Sequence, residues 1–195
     1  KKDVRIRPMK SADIPHSLAI LGEELGRRYI SRDDLEKFLD VETKVALVAE
    51  HDGNIAAAVI GEILSSTEFI NGIPSDMRTQ LPIMIPYLEF ENVGLLKSIA
   101  VAKNFQSAGI GSELSERLVQ ILWDRNATCV ATIGWVTELG CHIEGVVKGL
   151  GFHESGTLND FWAQDSVAKN YHCPRCGQPC HCQAKIFMLR RDNSN

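Results

Sequence analysis

Four cysteines late in the chain carry its most specific side-chain chemistry. The run His172-Cys173-Pro174-Arg175-Cys176-Gly177-Gln178-Pro179-Cys180-His181-Cys182 spaces them C-x2-C-x3-C-x-C. Four thiolates at that spacing can surround one tetrahedral ion, with Gly177 permitting the sharp turn between the halves. Zinc is the expected occupant and its expected role is structural, because a short loop buries no core of its own and takes its folding free energy from the ion. Imidazole is an equally good zinc ligand, so spacing alone leaves His172 or His181 open as a replacement for one cysteine. Disulfides are disfavoured: nothing indicates secretion, and the other two cysteines, Cys129 and Cys141, fall within expected regular elements. The spacing is unlike the common bacterial ferredoxin run, and the clustering of all four argues for ligation over a redox pair of Cys173 and Cys176.

A second stretch can do chemistry through its backbone. Leu95, Leu96, Ile99, Ala100 and Val101 form an apolar, strand-like run, and after Gln106-Ser107-Ala108-Gly109-Ile110-Gly111 the apolar residues Ile110, Leu114, Leu118, Ile121 and Leu122 recur at helical spacing. A helix starting near Gly109 has first-turn N–H groups without intrahelical acceptors and the positive end of the helix dipole, which together attract an anion. Gly109 and Gly111 clear side chains from a phosphate's approach, and Gln106 can add a neutral donor. A Walker loop would require Lys after the last glycine, where Ser112 stands, and a dinucleotide fingerprint would require an earlier glycine in the turn.

The elements that must position these groups can be read in outline. Strands are expected at 3–8, 44–51, 54–64, 128–133, about 153–163 and 184–189, and helices at 11–27, with Ser11 as cap, and at 31–40. Ser31 and Asp34 approximate a capping box, and Asp52-Gly53 signals a hairpin. A further helix is patterned by Leu139, Ile143, Val146, Val147 and Leu150, with Gly151 as its C-cap. The sum is an α/β (α+β) chain with a mixed sheet flanked by helices. Two segments exceed this minimum: 65–93, longer than an ordinary connection and holding a candidate extra strand at Ile83 to Phe90, and the cysteine loop 171–182 before the last strand.

Ile99-Ala100-Val101 followed by Gln106 to Gly111 resembles motif A of the GNAT superfamily of acyl-CoA N-acyltransferases, where Arg/Gln-x-x-Gly-x-Gly/Ala wraps the pyrophosphate of coenzyme A. Leu150-Gly151-Phe152 is similar to the end of the family's motif B, and Val4-Arg5-Ile6-Arg7 to its first strand. The resemblance implies a mostly antiparallel central sheet and acetyl-CoA as cosubstrate. It places the cofactor at Ile99, Ala100, Val101, Gln106, Ser107, Ala108, Gly109, Ile110, Gly111 and Ser112, and it implies acetyl transfer to a primary amine, small or peptidic. The connection holding the cysteines helps shape the acceptor site in that family, so a metal-clamped loop would form part of the substrate wall.

The catalytic groups depart from the family pattern. A Tyr about five residues before the Phe of Leu-Gly-Phe often protonates the departing thiolate, and Val147 stands there; an Asn often found seven residues earlier is Gly140. Either the thiolate leaves without an acid, or another residue such as Tyr171 or His142 takes that role. Relatives often carry a Glu early in the strand before the phosphate turn, where this chain has Leu95; Glu91 shares its strand parity and is the first candidate base, with His142 second. Two other readings follow from these gaps: a coenzyme A sensor or scaffold without activity, and a zinc-loop module that docks a partner.

Composition fits one enzyme domain over 1–195, with 44% hydrophobic and 24% charged residues. A net charge of −4 gives a nucleic-acid partner no electrostatic support. No apolar run is long enough for a bilayer and the first residues lack a signal-peptide core, so no membrane association and a cytoplasmic location are expected. A homodimer is compatible with all of this.

Overall fold

The computed structural model describes residues 3–80 and 92–191. Its centre is an eight-stranded sheet: β1 (Arg5–Pro8), β2 (Lys44–His51), β3 (Asn54–Ser65), β4 (Asn92–Val101), β5 (Cys129–Thr137), β6 (Gly140–Cys141), β7 (His153–Leu158) and β8 (Gln183–Arg190). The order is β1-β2-β3-β4-β5-β8-β7, with the short β6 paired to β5. Every pairing is antiparallel except β4 with β5. This is the mostly antiparallel sheet flanked by helices that the resemblance implies, with the cysteine run immediately before the last strand. Among the described residues no helix is long and apolar enough to cross a membrane.

The helices are α1 (Ile14–Leu25), α2 (Arg32–Glu36), α3 (Ser66–Asn71), α4 (Ile110–Asp124), α5 (Glu144–Gly149) and α6 (Ala163–Ala168). Strand alternation in β2 and β3 divides the core. Val45, Leu47, Ala57 and Val59 pack beneath α4 through Leu114, Leu118 and Leu122. Ala46, Val48, Ala58 and Ile60 meet Ile14, Leu21, Leu35 and Phe38 of the α1–α2 layer on the opposite face. A third cluster seats Phe69, Ile73 and Met77 against Cys129, Ile186 and Met188, so the first part of the long segment after β3 is anchored on the sheet. The rest of that segment, including the candidate strand Ile83 to Phe90 and Glu91, lies outside the described residues.

Several expected boundaries shift for local reasons. Ser11 opens a short 3-10 turn capped by Lys10, and α1 begins after it with Asp13 at its N-cap. The Ser31–Asp34 capping box is present, but α2 ends at Glu36. Ser65 and Glu68 form another such box, an S-x-x-E signal passed over in the sequence. The helix expected to start at Leu139 is confined to α5: Cys141 pairs with Val136 as a strand and Leu139 stands 67% exposed on the hairpin. The strand expected over about 153–163 stops at Leu158, and a turn leads from it into α6.

The feature that positions the site is a divergence between β4 and β5. They pair from Val93↔Cys129 to Leu96↔Thr132, where the Thr132 hydroxyl donates to the Leu96 carbonyl at 2.9 Å. At Lys97 an extra residue enters β4: Ile60 faces Ser98 while Gly61 faces Leu96. Past this bulge β4 follows β3, and β5 follows β8. Gly61 is required there, since a Cβ would stand 2.7 Å from the Leu95 carbonyl oxygen and 3.0 Å from Leu118. Gly61→Ala is expected to cost about 1–3 kcal/mol, read as a lowered thermal midpoint together with weakened cofactor binding as the divergence is distorted.

Candidate functional site

The divergence opens a cleft of about 900 Å3 between Ser98 to Val101 and the Ile133-Gly134-Trp135 segment. The Gln106 to Gly111 turn and the first turn of α4 line one part of it. Ser107 (φ 61°) and Gly109 (φ 83°) both adopt left-handed backbone, and α4 starts at Ile110 with Gly109 as N-cap. The N–H groups of Ile110, Gly111 and Ser112 lie in the first helical turn, where no intrahelical acceptor exists. A Cβ on Gly109 would meet nothing within 4 Å, so the space over the turn is open to a ligand. The Gln106 amide nitrogen donates to the Val101 carbonyl and to Glu24 Oε2, both at 3.0 Å. In this arrangement Gln106 braces the turn against β4 and α1 and does not present its donor outward. Ile99, Ala100, Val101, Gln106, Ser107, Gly109, Ile110, Gly111 and Ser112 all line the cleft, and Ala108 packs at the edge of the core beside α4.

The four cysteines converge. All four Sγ atoms lie within 4.8 Å of one another, with Cys173–Cys182 and Cys176–Cys180 at 3.7 Å and Cys176–Cys182 at 3.5 Å. Four thiolates bound to one zinc at about 2.3 Å would stand about 3.8 Å apart, so the donor set fits a tetrahedral ion. Cys173 and Gly177 exchange both backbone hydrogen bonds at 3.0 Å. The Arg175 and His181 amides donate to Cys173 Sγ (3.4 Å) and Cys176 Sγ (3.2 Å), orienting the sulfurs. Neither histidine completes the cluster: His181 Nδ1 lies 2.9 Å from Asp160 Oδ1, and His172 is outside the ligating group. With no ion bound, burial pushes the Cys180 thiol well up and Cys182 up to about 11, so both are neutral thiols at pH 7 until an ion displaces their protons. No disulfide is present among the described residues.

The cysteine run and the phosphate turn border the same cleft. Cys173, Pro174, Arg175 and Cys180 line it, as do Trp162 of the turn before α6 and Tyr29 after α1. Trp135 and Trp162 pack against the cysteines. Sequence reasoning passed over these aromatic residues and Arg175, because no local spacing links them; only the return of β8 beside β5 does.

Of the candidate proton-transfer groups, Tyr171 and His142 both line the cleft. Tyr171 is 2% exposed, stacks edge-on against Tyr29 at 5.5 Å, and its hydroxyl has no hydrogen-bond partner among the described residues. Burial, followed by the Asp165 charge, pushes that hydroxyl far above the ordinary phenol range. His142 is solvent-exposed. Val147 is fully buried in the core, and α5 presents Val146 to the cleft. Neither carries an exchangeable proton.

A sequence model of the acetyltransferase (GNAT) family matches residues 17–152. No curated protein matches the chain by sequence. Among solved structures, the fold is similar to an agmatine N-acetyltransferase (TM-score 0.66, 16% identity, 97% of this chain and 100% of the other). It is also similar to a Drosophila melanogaster polyamine N-acetyltransferase that catalyses formation of N-acetylagmatine (0.64, 17%, 97% and 100%), and to a ribosomal-protein-alanine N-acetyltransferase from Brucella melitensis (0.64, 17%, 96% and 99%).

Proposed function

The chain belongs to the GNAT acetyltransferase family, and from that membership we propose that it transfers the acetyl group of acetyl-CoA to a primary amine. The observation that carries this reading is the pairing, in one cleft, of an anion-ready helix start with a strand edge that has no strand partner among the described residues. The pyrophosphate would lie on the N–H groups of Ile110, Gly111 and Ser112, and the pantetheine arm along Ser98 to Val101, whose β5-facing edge has no strand partner among the described residues.

In the reaction the neutral amine nitrogen forms a bond to the thioester carbonyl carbon, a tetrahedral oxyanion collapses, and the carbon–sulfur bond breaks. The amine gives up a proton and the thiolate takes one. Tyr171 is our candidate for the second transfer: a hydroxyl held far above the ordinary phenol range stays protonated at neutral pH, so it serves as a donor and not as a base. His142 at the cleft edge is the alternative, and Glu91, outside the described residues, remains the candidate base by its sequence position.

Zinc is the ion we assign to the four cysteines, in a closed structural site with every position taken by thiolate. Incubation with acetyl-CoA and a panel of agmatine, spermidine, an aminoglycoside and alanine-ended peptides, with thiol release as readout, tests the activity. Release dependent on one class of amine is expected. Measurable acetyl-CoA binding without release from any acceptor would instead establish the sensor reading, which the Val146–Val147 pair favours. Tyr171→Phe is expected to lower kcat about 10- to 100-fold across the neutral and mildly alkaline range, where the hydroxyl stays protonated, while leaving KM for acetyl-CoA within twofold. An unchanged kcat would remove Tyr171 from proton transfer.

A further inference from the structure

The cleft is built from two halves held together by different means. Its cofactor half consists of the end of β4, the Gln106 to Gly111 turn and α4, secured by the large apolar cluster beneath the sheet. Its other half includes residues 171–182, which contain no helix and no strand beyond the single Cys173↔Gly177 bridge. Their only buried cluster is Cys173, Cys180 and Cys182 against the two tryptophans. Such a loop has no apolar core to hold its shape, so a bound ion is its principal internal constraint.

The loop is also tied outward to the parts that complete this wall. Gln178 Nε2 donates to the Ser166 carbonyl at 2.6 Å, and the Cys180 amide donates to Ser166 Oγ at 3.0 Å, fastening α6 and the adjoining Trp162 to the cysteines. Gly26, just after α1, approaches so closely that a Cβ there would stand 3.0 Å from the His172 carbonyl oxygen and 3.5 Å from Pro174. The loop therefore braces the α1 end that carries Tyr29 toward Tyr171. Arg175, paired with Glu138 at 3.1 Å, carries the loop's charge to the cleft mouth.

We propose that the four-cysteine zinc site is a splint for the acceptor side of the cleft, so that metal occupancy sets acceptor affinity and leaves the acetyl-CoA half intact. This rests on the acetyl-transfer reading for the identity of the acceptor side, but not for the mechanical division.

Zinc-loaded protein and protein stripped by a high-affinity chelator, each checked for metal content, are compared by amide hydrogen exchange, acetyl-CoA titration calorimetry and KM for the best amine of the panel. On stripping, exchange is expected to quicken at least tenfold over 163–182 and near Gly26, and to stay unchanged over 106–124. The acetyl-CoA Kd should hold within twofold while the acceptor KM rises at least tenfold. Ser166→Ala, which removes the Cys180 anchor but no ligand, should retain one zinc per chain and raise the acceptor KM with kcat little changed. Unchanged exchange over 163–182 after stripping would overturn the splint, as would an acetyl-CoA Kd that weakens as much as the acceptor KM. If no amine of the panel is acetylated while the exchange and Kd results come out as expected, the acetyl-transfer reading fails and the mechanical division stands.

Discussion

Gly111→Glu is expected to weaken acetyl-CoA binding by at least about a hundredfold without loosening the fold. Position 111 sits in the first turn of α4, and a Cβ there would meet only Val101 Cγ2, at an ordinary 3.5 Å. The helix accepts the change readily: glycine inside a helix costs about 1 kcal/mol relative to alanine, and an acidic side chain in the first turn gains a few tenths from the dipole. The same carboxylate stands where the pyrophosphate would accept hydrogen bonds from the Gly111 and Ser112 amides. Charge-assisted bonds of that kind are worth about 1.5–3 kcal/mol each, so losing two exceeds the roughly 2.7 kcal/mol that corresponds to a hundredfold. Calorimetric titration with acetyl-CoA, beside a thermal melt, separates the two effects. A variant that melts at or above the parent midpoint and no longer binds is the expected outcome, while undiminished binding would place the pyrophosphate elsewhere. Gly109 would be a poorer probe, because its φ of 83° strains any side chain even where space is open.

Cys180→Ser should cause a comparably large loss, of a different kind. Cys180 is 2% exposed and its Sγ lies 3.7 Å from that of Cys176. Replacing one ligand leaves three thiolates and a buried hydroxyl, so stoichiometric zinc should be lost on gel filtration. Structural zinc binding in small fingers is worth about 10–16 kcal/mol. Losing even about 3 kcal/mol of stabilisation in a chain of this size lowers the thermal midpoint by about 6–12 °C. The direction of the pH effect follows from burial. Without an ion, Cys180 and Cys182 have their pKa values raised, so each must surrender a proton when zinc binds. Apparent zinc affinity therefore rises with pH through the neutral range and falls on acidification, by about a hundredfold per pH unit from these two thiols alone. Competition with a chromogenic chelator at pH 6.5 and 7.5 measures it. A pH-independent affinity, or a Cys180→Ser protein that melts with its parent and still holds zinc, would contradict the assignment.

The legible parts of this protein were those written in short spacings. The C-x2-C-x3-C-x-C run brings four thiols that could share an ion together by proximity along the chain, and a strand, a glycine turn and an amphipathic helix in succession identify an anion-ready helix start from polarity and period alone. The Asp52-Gly53 hairpin and the Ser31 capping box were legible for the same reason: each is a contact between residues a few positions apart. Where the fold departs from local pattern, tertiary contact outweighs it. Leu139 to Leu150 has apolar spacing that suits a helix, yet the free edge of β5 captures Cys141 as a strand, and Gly134 leaves room for its sulfur. α6 carries too few residues for periodicity to show, and its value lies in the Ser166 bonds to a loop that the sequence presents as separate.

The sequence by itself determined the family, the glycine turn that opens α4 and the close spacing of four cysteines, with His172 or His181 left open beside them, because these depend on backbone geometry and spacing within a few residues. Only the tertiary structure decided that the Lys97 bulge parts β4 from β5 to make a cleft. Only it decided that the cysteine loop borders that cleft, that Tyr171 is a buried residue beside it, and that Val147 turns away into the core. Those outcomes depend on which strands lie side by side, and strand neighbours such as β5 and β8 are joined by long-range hydrogen bonds that no local pattern encodes.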